Sequence, residues 1–337
     1  MTGATATSGS AHEGQQPGTD FAPSRGFVEP YERVFANLRR GHATASDGTT
    51  IVYEVVGSND PNAPVLTLAN GLGGRLYSWL NLIDELGDTC RFISWDYRGL
   101  FDSAAPDDPR RLSIETHADD LKSILDAENV GAAHLFGWSM GVQVCLEFAI
   151  RHPERAASLV LINGTYGQVF STAWQPFFPM PIPHTVFHGM IEFTIDHPRL
   201  LAGLGAVLQR QTEALFAVRK RLLGFRQSRL TLGLRQYVRD VFRSRPDNYL
   251  RLFQQLDAHS AYHLLGEIAA PTTVISGGLD YLTPARQSKA IASRIPGARH
   301  VAIALGTHYV MIERPATVLA AVRDHFGQAL GMATAGA

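Results

Sequence analysis

Apolar residues along this chain gather in short runs that alternate with longer stretches of helical periodicity. The runs have the length of buried strands and begin near Val65, Phe92, His134 and Ser158. The amphipathic stretches that separate them span residues 78–86, 114–129 and 140–152. Strands that alternate with helices in this way predict a mostly parallel central sheet flanked by helices, which is the α/β class.

A hairpin is predicted ahead of the first parallel strand. Two β-rich runs between residues 40 and 56 flank the dipeptide Asp47-Gly48, and Asp-Gly favours a tight turn between antiparallel strands. The sheet is therefore expected to begin with antiparallel strands.

The alternation of strands and helices stops after the run Leu159–Asn163 and resumes only at a strand near Thr272. The intervening residues are first aromatic and proline-containing and then helical, so we predict an inserted helical cap over residues 166–257. The flanking segments, 31–165 and 258–330, are predicted to form the core domain.

Both ends of the chain, residues 1–30 and 331–337, are predicted to be tails without a fixed fold. The first 25 residues are rich in Gly, Ser, Thr, Ala and Gln and contain no apolar run of signal-peptide length. We therefore expect a cytoplasmic protein without a membrane span.

Composition excludes several classes of protein. With 337 residues and 45% hydrophobic content the chain can bury a large core. Its formal net charge of -1 gives no overall attraction to nucleic acid, and a phosphate-binding glycine loop is missing. The two cysteines, Cys90 and Cys145, imply no disulfide framework.

The predicted cap is unusual in two respects. Residues 210–251 hold ten Arg and one Lys against three acidic residues, a local charge of +8. A solvated helix face is the favoured interpretation, but weak contact with anionic lipid or steering of an anionic substrate stays open. Residues 173–183 contain four prolines, so Phe177 and Phe178 either line the substrate pocket or pack the cap onto the core.

A candidate nucleophile lies where an apolar strand runs into an amphipathic helix. The junction reads Gly137-Trp138-Ser139-Met140-Gly141. A serine at so sharp a turn adopts a strained backbone, and flanking glycines remove side chains that would collide with neighbouring elements. We predict that Ser139 is the nucleophile.

A carboxylate and an imidazole follow later strands in the chain. Asp280 comes after the β-branched run that begins at Thr272, and His308 comes after the short run 301–305. The resulting order of Ser, Asp and His is one in which a catalytic triad is found. Asp280 is the candidate acid and His308 the candidate base.

These motifs, together with the segments 70–74 and 96–103, make the chain from about Gly41 to Phe326 resemble an α/β-hydrolase of the cofactor-free serine hydrolase type. Two departures stand out, because many relatives carry His-Gly where this chain has Asn70-Gly71 and glycine where it has Phe101. Asp96 and Arg98 are interpreted as a buried ion pair or a loop anchor rather than as catalysts.

The resemblance implies further site residues. The backbone N–H groups of Leu72 and Met140 are expected to form the oxyanion hole. Substrate contacts are expected at Gly71, Gly73 and Trp138, in addition to the two cap phenylalanines. No cofactor is expected, and the histidine pairs 184/188 and 259/263 are not credited as metal sites because neither has the zinc-protease arrangement.

The predicted function is hydrolysis of a carboxylic ester with a hydrophobic acyl group, as in an esterase or lipase. Serine as nucleophile argues against dehalogenase and epoxide hydrolase chemistry, which uses a carboxylate there. Lactone, thioester or carbon–carbon bond hydrolysis and perhydrolysis remain open on the same triad. A non-catalytic ligand-binding protein on this fold is the alternative of another class.

Overall fold

The computed structural model describes residues 32–169, 184–197 and 245–329, together with 199, 203, 207, 210, 211, 233, 236, 237 and 239–241. Both predicted tails and most of the predicted cap, including Phe177 and Phe178, lie outside the described residues. The domain boundaries and the anionic-lipid contact of the basic stretch 210–251 therefore stay predictions.

Eight strands of the described chain form one sheet, in the spatial order β1-β2-β4-β3-β5-β6-β7-β8. They are β1 Arg39–Thr44, β2 Thr50–Gly57, β3 Val65–Ala69, β4 Arg91–Trp95, β5 Ala133–Trp138, β6 Ala156–Ile162, β7 Thr272–Gly277 and β8 Arg299–Ile303. Strand β2 runs antiparallel to β1 and to β4, and the strands from β3 to β8 are mutually parallel. The predicted α/β class with a mostly parallel sheet is confirmed.

The described helices connect these strands or lie in the insertion. They are α1 Glu32–Ala36, α2 Leu80–Leu86, α3 Ile114–Ala127, α4 Met140–Arg151, α5 His184–Asp196, α6 Pro246–Ala258, α7 Ala285–Arg294, α8 Val310–Glu313 and α9 Pro315–Ala329. Short 3-10 turns lie at Leu76–Trp79, Pro109–Leu112, Pro153–Arg155 and Leu265–Glu267. Helices α5 and α6 fall in the insertion that the broken alternation predicted.

The core is divided by the sheet into two apolar layers. Along β3, Val65 and Ala69 face the layer that holds α3 and α4, whereas Leu66 and Leu68 face the layer that holds α2 and α9. Alternate residues of a strand point to opposite faces, so a strand covered on both sides reads as a continuous apolar run. This burial explains why the strands were visible as apolar runs.

Asp96 and Arg98 do not pair with each other, but each is buried in an ion pair with another residue and anchors its loop, as the second of the two interpretations predicted. Arg98 is 0% exposed, and its guanidinium donates to Asp120 at 2.7 Å through Nε and to Asp47 at 2.8 Å through Nη1. Asp96 instead accepts from Arg75 at 2.8 Å. The partners lie on different parts of the chain: those of Arg98 are in the β1–β2 turn and on α3, and that of Asp96 is in the loop after β3.

Two buried histidines share a serine hydroxyl between β5, β6 and α9. His134 Nδ1 lies 2.7 Å from the Ser158 hydroxyl, and His325 Nε2 lies 2.8 Å from it. His325 Nδ1 also lies 3.0 Å from the Thr273 hydroxyl. Burial lowers the pKa of His325 to about 4 and also lowers the pKa of His134. Both rings therefore stay neutral in the folded protein at neutral pH.

We predict that His325 makes the fold acid-sensitive. Between pH 6.5 and 4 the unfolded chain binds a proton that the folded chain resists, so stability falls as pH falls through this window. Replacing His325 with Gln should flatten the profile. Between pH 7.5 and 5, the wild type should lose about 2 kcal/mol more unfolding free energy than the variant, measured by urea denaturation. Equal losses in both proteins would contradict the assignment.

Candidate active site

Ser139 lies in a strained turn between β5 and α4. Its backbone has φ 55° and ψ -116°, a region that residues with a side chain seldom adopt. A Cβ at Gly137 would lie 2.6 Å from the Gly141 carbonyl oxygen, and a Cβ at Gly141 would overlap the carbonyl of Ala69 on β3. Only glycine fits at either position, as the sequence indicated.

The structure brings Ser139, His308 and Asp280 into one chain of hydrogen bonds. His308 Nε2 lies 3.0 Å from Ser139 Oγ, and His308 Nδ1 lies 2.8 Å from Asp280 Oδ2. These distances are within hydrogen-bond range, although 169 residues separate the serine from the histidine. The arrangement permits transfer of a proton from the hydroxyl to an imidazole whose other nitrogen is held by a carboxylate.

The carboxylate of Asp280 is oriented by its own loop. Its Oδ1 accepts the backbone N–H groups of Leu282 and Thr283, each at 2.9 Å. The Thr283 hydroxyl lies 2.8 Å from Oδ2, the oxygen that faces His308. Asp280 is 4% exposed, so these donors replace the water that an exposed carboxylate would bind.

Asn163 is a site residue that the sequence did not reveal. It directly follows β6, has φ 45° and is fully buried. Its Oδ1 accepts the N–H of Gly277 at 2.7 Å, and its Nδ2 donates to the carbonyl of Thr307 at 2.7 Å. One amide thus ties the loop before Asp280 to the loop before His308. The signal available in the sequence was an asparagine directly after a buried strand.

The predicted oxyanion loop follows β3 and forms a tight turn. Gly74 N–H donates to the Gly71 carbonyl at 2.7 Å, and Gly73 has φ 77°. A positive φ at the third position is the mark of a type II turn, which favours glycine there. Among the described residues no acceptor is recorded for the N–H of Leu72 or of Met140, the two predicted donors.

Trp138 lies behind this turn. It is 1% exposed, its indole N–H donates to the carbonyl of His308 at 3.0 Å, and a Cβ on Gly71 would lie 2.8 Å from its ring. Its burial favours support of His308 and of the turn over the direct substrate contact that the resemblance implied. On the other side of the turn, a Cβ on Gly73 would lie 3.0 Å from the ring of Tyr249 on α6.

Aromatic rings surround the imidazole of His308. Trp138 and Tyr309 have ring centroids 5.6 Å from it, and Tyr237 of the insertion lies 6.0 Å from Trp138 and 5.8 Å from Tyr309. Burial raises the pKa of Tyr309 to about 12, so its hydroxyl remains neutral. The base is thereby enclosed by apolar surface that limits its access to water.

Asn70, one of the two departures from the usual family pattern, is accommodated by hydrogen bonds. It donates through Nδ2 to the Ser94 hydroxyl at 3.0 Å and accepts the Trp79 indole N–H at 2.9 Å. Every polar atom of its side chain therefore has a partner, which a buried amide requires.

Phe101, the other departure, adopts φ 50°. Its ring lies 4.8 Å from the guanidinium carbon of Arg75, a cation–π contact that offsets part of the backbone strain. Arg75 also donates to Asp96, whose pKa burial raises to about 7 against the opposing effect of the guanidinium. The loop after β4 is thus tied to the loop after β3.

Potential metal ligands are grouped once in the part of the chain that the structure describes. One atom each of Glu115, Glu147 and His259 lies within 4.8 Å of the others. Both ring nitrogens of His259 are already used, by Gln143 at 2.9 Å and by Glu147 at 3.0 Å. These hydrogen bonds explain why the groups lie close together, because His259 attaches the end of α6 to α4.

The strand order, the strained elbow and the hydrogen-bonded serine, histidine and aspartate are features of a hydrolase. A model of the α/β hydrolase fold family matches residues 64–315, so the chain belongs to this family. Among the helices described, none combines the length and the apolar character that crossing a membrane requires.

Individual relatives agree with this assignment. A protein of Agrobacterium fabrum named "Putative carbamate hydrolase RutD" is 30% identical over 265 residues, which cover 78% of this chain and 93% of that protein. A hydrolase from Pseudomonas aeruginosa PA01 has a TM-score of 0.66 and 25% identity, covering 86% of this chain and 98% of its own. The enol-lactonase from Burkholderia xenovorans LB400 has a TM-score of 0.65 and 26% identity, covering 85% and 99%.

We predict that Asn163→Ala slows the reaction of Ser139 with a fluorophosphonate probe. Loss of both loop contacts lets Asp280 and His308 drift, and misplacement of about 1 Å costs on the order of a hundredfold in rate. The matched control is Asn129→Ala, which removes another asparagine of positive φ at an exposed position far from the site. Equal labelling rates in Asn163→Ala and the wild type would show that the amide does not position the triad.

Proposed function

We propose that this protein hydrolyses a carboxylic ester by nucleophilic attack of Ser139, with His308 as base and Asp280 as the acid that orients it. The observation that carries the proposal is the pair of hydrogen bonds at 3.0 Å and 2.8 Å that links the three side chains at the strained elbow. Acyl transfer by a serine requires a hydroxyl, an imidazole and a carboxylate that are linked in this way, whereas polar side chains on an exposed surface do not require such a link.

The reaction would run in two halves. Ser139 Oγ attacks the ester carbonyl while His308 Nε2 takes its proton, and the imidazolium then protonates the departing alkoxide. An acyl-enzyme remains on Ser139. Water, activated by the same imidazole, attacks the acyl carbonyl and releases the carboxylic acid with Ser139 restored.

Each tetrahedral intermediate carries a negative oxygen that needs donors. We assign the N–H groups of Met140 and Leu72 to this role. Met140 begins α4, so the dipole of that helix adds to the attraction. Both groups belong to the backbone, which makes the conformation of the 71–74 turn more important than its side chains.

An acyl group with an apolar surface fits this site best. The ring of Tyr309, 5.6 Å from that of His308, is only partly buried, and transfer of apolar atoms from water to such a surface is favourable. The alternative of a non-catalytic receptor is less well supported, because ligand binding alone does not require a serine in a strained conformation bonded to an imidazole.

Carbamate hydrolysis is the second candidate, favoured by the relatives named RutD, of which the Agrobacterium fabrum protein is 30% identical. A carbamate presents the same carbonyl to Ser139, but its nitrogen donates electrons to that carbonyl and makes it a poorer electrophile. A lactone, the substrate class named for the Burkholderia neighbour, would open by the same steps without releasing a separate alcohol.

We predict Ser139-dependent turnover of p-nitrophenyl esters from acetyl to palmitoyl. Ser139→Ala and His308→Ala should abolish it, and Asp280→Asn should lower kcat about ten-thousandfold because the imidazole loses its orientation. Ser123→Ala, which removes a hydroxyl on the remote helix α3, is the matched control and should leave rates unchanged.

The panel also separates the candidates. Faster turnover of a p-nitrophenyl carbamate than of any ester would move the assignment to carbamate hydrolysis, and preference for an enol lactone would move it to lactonase. Ligand binding without labelling of Ser139 by a fluorophosphonate would reject catalysis altogether.

A further inference from the structure

A short stretch of the insertion packs directly on the turn that presents Leu72. The Tyr237 hydroxyl donates to the carbonyl of Leu72 at 2.9 Å. A Cβ on Gly73 would lie 2.8 Å from the side chain of Val241. Asp240 faces Arg75 and Tyr77, the residues that follow the turn, through electrostatic contacts. Tyr237 and Val241 of the insertion thus contact the turn, and Asp240 contacts the residues that follow it.

The 71–74 turn is held within itself by one backbone hydrogen bond, from the Gly74 N–H to the Gly71 carbonyl. The carbonyl of Leu72 takes no part in that bond. A partner outside the turn is therefore needed to fix the position of the Leu72 backbone.

Tyr237 is that partner. The carbonyl it contacts belongs to the same residue whose N–H is assigned to the oxyanion, and only the Cα of Leu72 separates the two groups. Burial raises the pKa of the Tyr237 phenol well above its usual value, so the hydroxyl remains a donor throughout the working pH range. Its ring is held independently by Trp138 and Tyr309 at 6.0 Å and 5.8 Å.

We propose that Tyr237 is a positioning residue for the oxyanion hole: by donating to the Leu72 carbonyl it fixes the position of the Leu72 backbone, from which the N–H donor extends toward the substrate. This inference rests on the proposed function. It makes the insertion part of the catalytic machinery, because a residue of the insertion holds the residue that carries the oxyanion donor. An oxyanion donor is effective only when it is preorganised.

The test compares Tyr237→Phe with the wild type on p-nitrophenyl butyrate. Phenylalanine keeps the ring contacts and removes only the hydroxyl. Loss of an entire oxyanion donor costs a hundredfold or more, and loosening one should lower kcat about tenfold while KM changes less than about twofold. Tyr166→Phe is the matched control, because it removes a phenol hydroxyl from the tilted ring pair with Tyr262 and should retain wild-type kcat.

A second readout separates positioning from a loss of packing. Phenylboronic acid binds Ser139 as a tetrahedral adduct with an oxygen in the oxyanion hole, so its dissociation constant should rise by the same factor as kcat/KM falls. Unchanged boronate affinity with an increased KM would mean that Tyr237 only packs the insertion, and would overturn the inference. Unchanged kcat would also overturn it.

A second variant changes a residue of the 71–74 turn itself instead of its partner in the insertion. Gly73→Ala opposes the positive φ and also brings a Cβ within 2.8 Å of Val241, so it disturbs the turn together with its contact to the insertion and should weaken boronate binding in the same manner. Lack of Ser139-dependent turnover in the wild type would reject the proposed function and this inference together. Normal wild-type turnover with unaffected Tyr237→Phe and Gly73→Ala would reject this inference alone.

Discussion

The strained backbone of Ser139 is the constraint on which the rest of the site depends. A residue at φ 55° and ψ -116° costs on the order of 1–3 kcal/mol and persists only where its surroundings leave no alternative. Here Gly141 presses against the carbonyl of Ala69 on β3, and the Ser139 N–H donates to Ile162 on β6 at 3.1 Å. The turn is therefore fixed by the two strands on either side of β5, and any change in their spacing would move the hydroxyl.

The same strand order explains where the other groups come from. Because β3 and β6 flank β5, the turn with Leu72 approaches Ser139 from one side and Asn163 from the other. Asn163 connects β6 to the next two strands, since its amide holds the loops after β7 and β8 that carry Asp280 and His308. Positions distant in sequence become neighbours through a relay of backbone contacts at the carboxyl ends of parallel strands. Preorganisation of the site is thus a property of the sheet.

What the sequence could predict depended on whether a feature has a local pattern. Buried strands appear as apolar runs, and the elbow has two glycines at fixed spacing, so the fold and the location of Ser139 could be inferred. The sequence carries no such pattern for which side chains form ion pairs or hydrogen bonds with each other. Arg98 pairs with Asp120 rather than with Asp96 because the loop directs each side chain to a different neighbour. Asn163 escaped notice because its partners are backbone groups, and Trp138 was assigned to substrate because burial behind the turn is a tertiary property.

The insertion contributes more than a cover to this arrangement. In a site whose donors all come from the core, an insertion could vary freely to suit different substrates without altering the chemistry. Contacts of Tyr237 and Val241 with the 71–74 turn remove that freedom, since substitutions near residue 237 also act on the turn. Under the role proposed for Tyr237, the insertion and the oxyanion donor are coupled through one carbonyl group. Contacts between a substrate and this part of the insertion would then also act on the turn, which is the condition for using binding energy in catalysis.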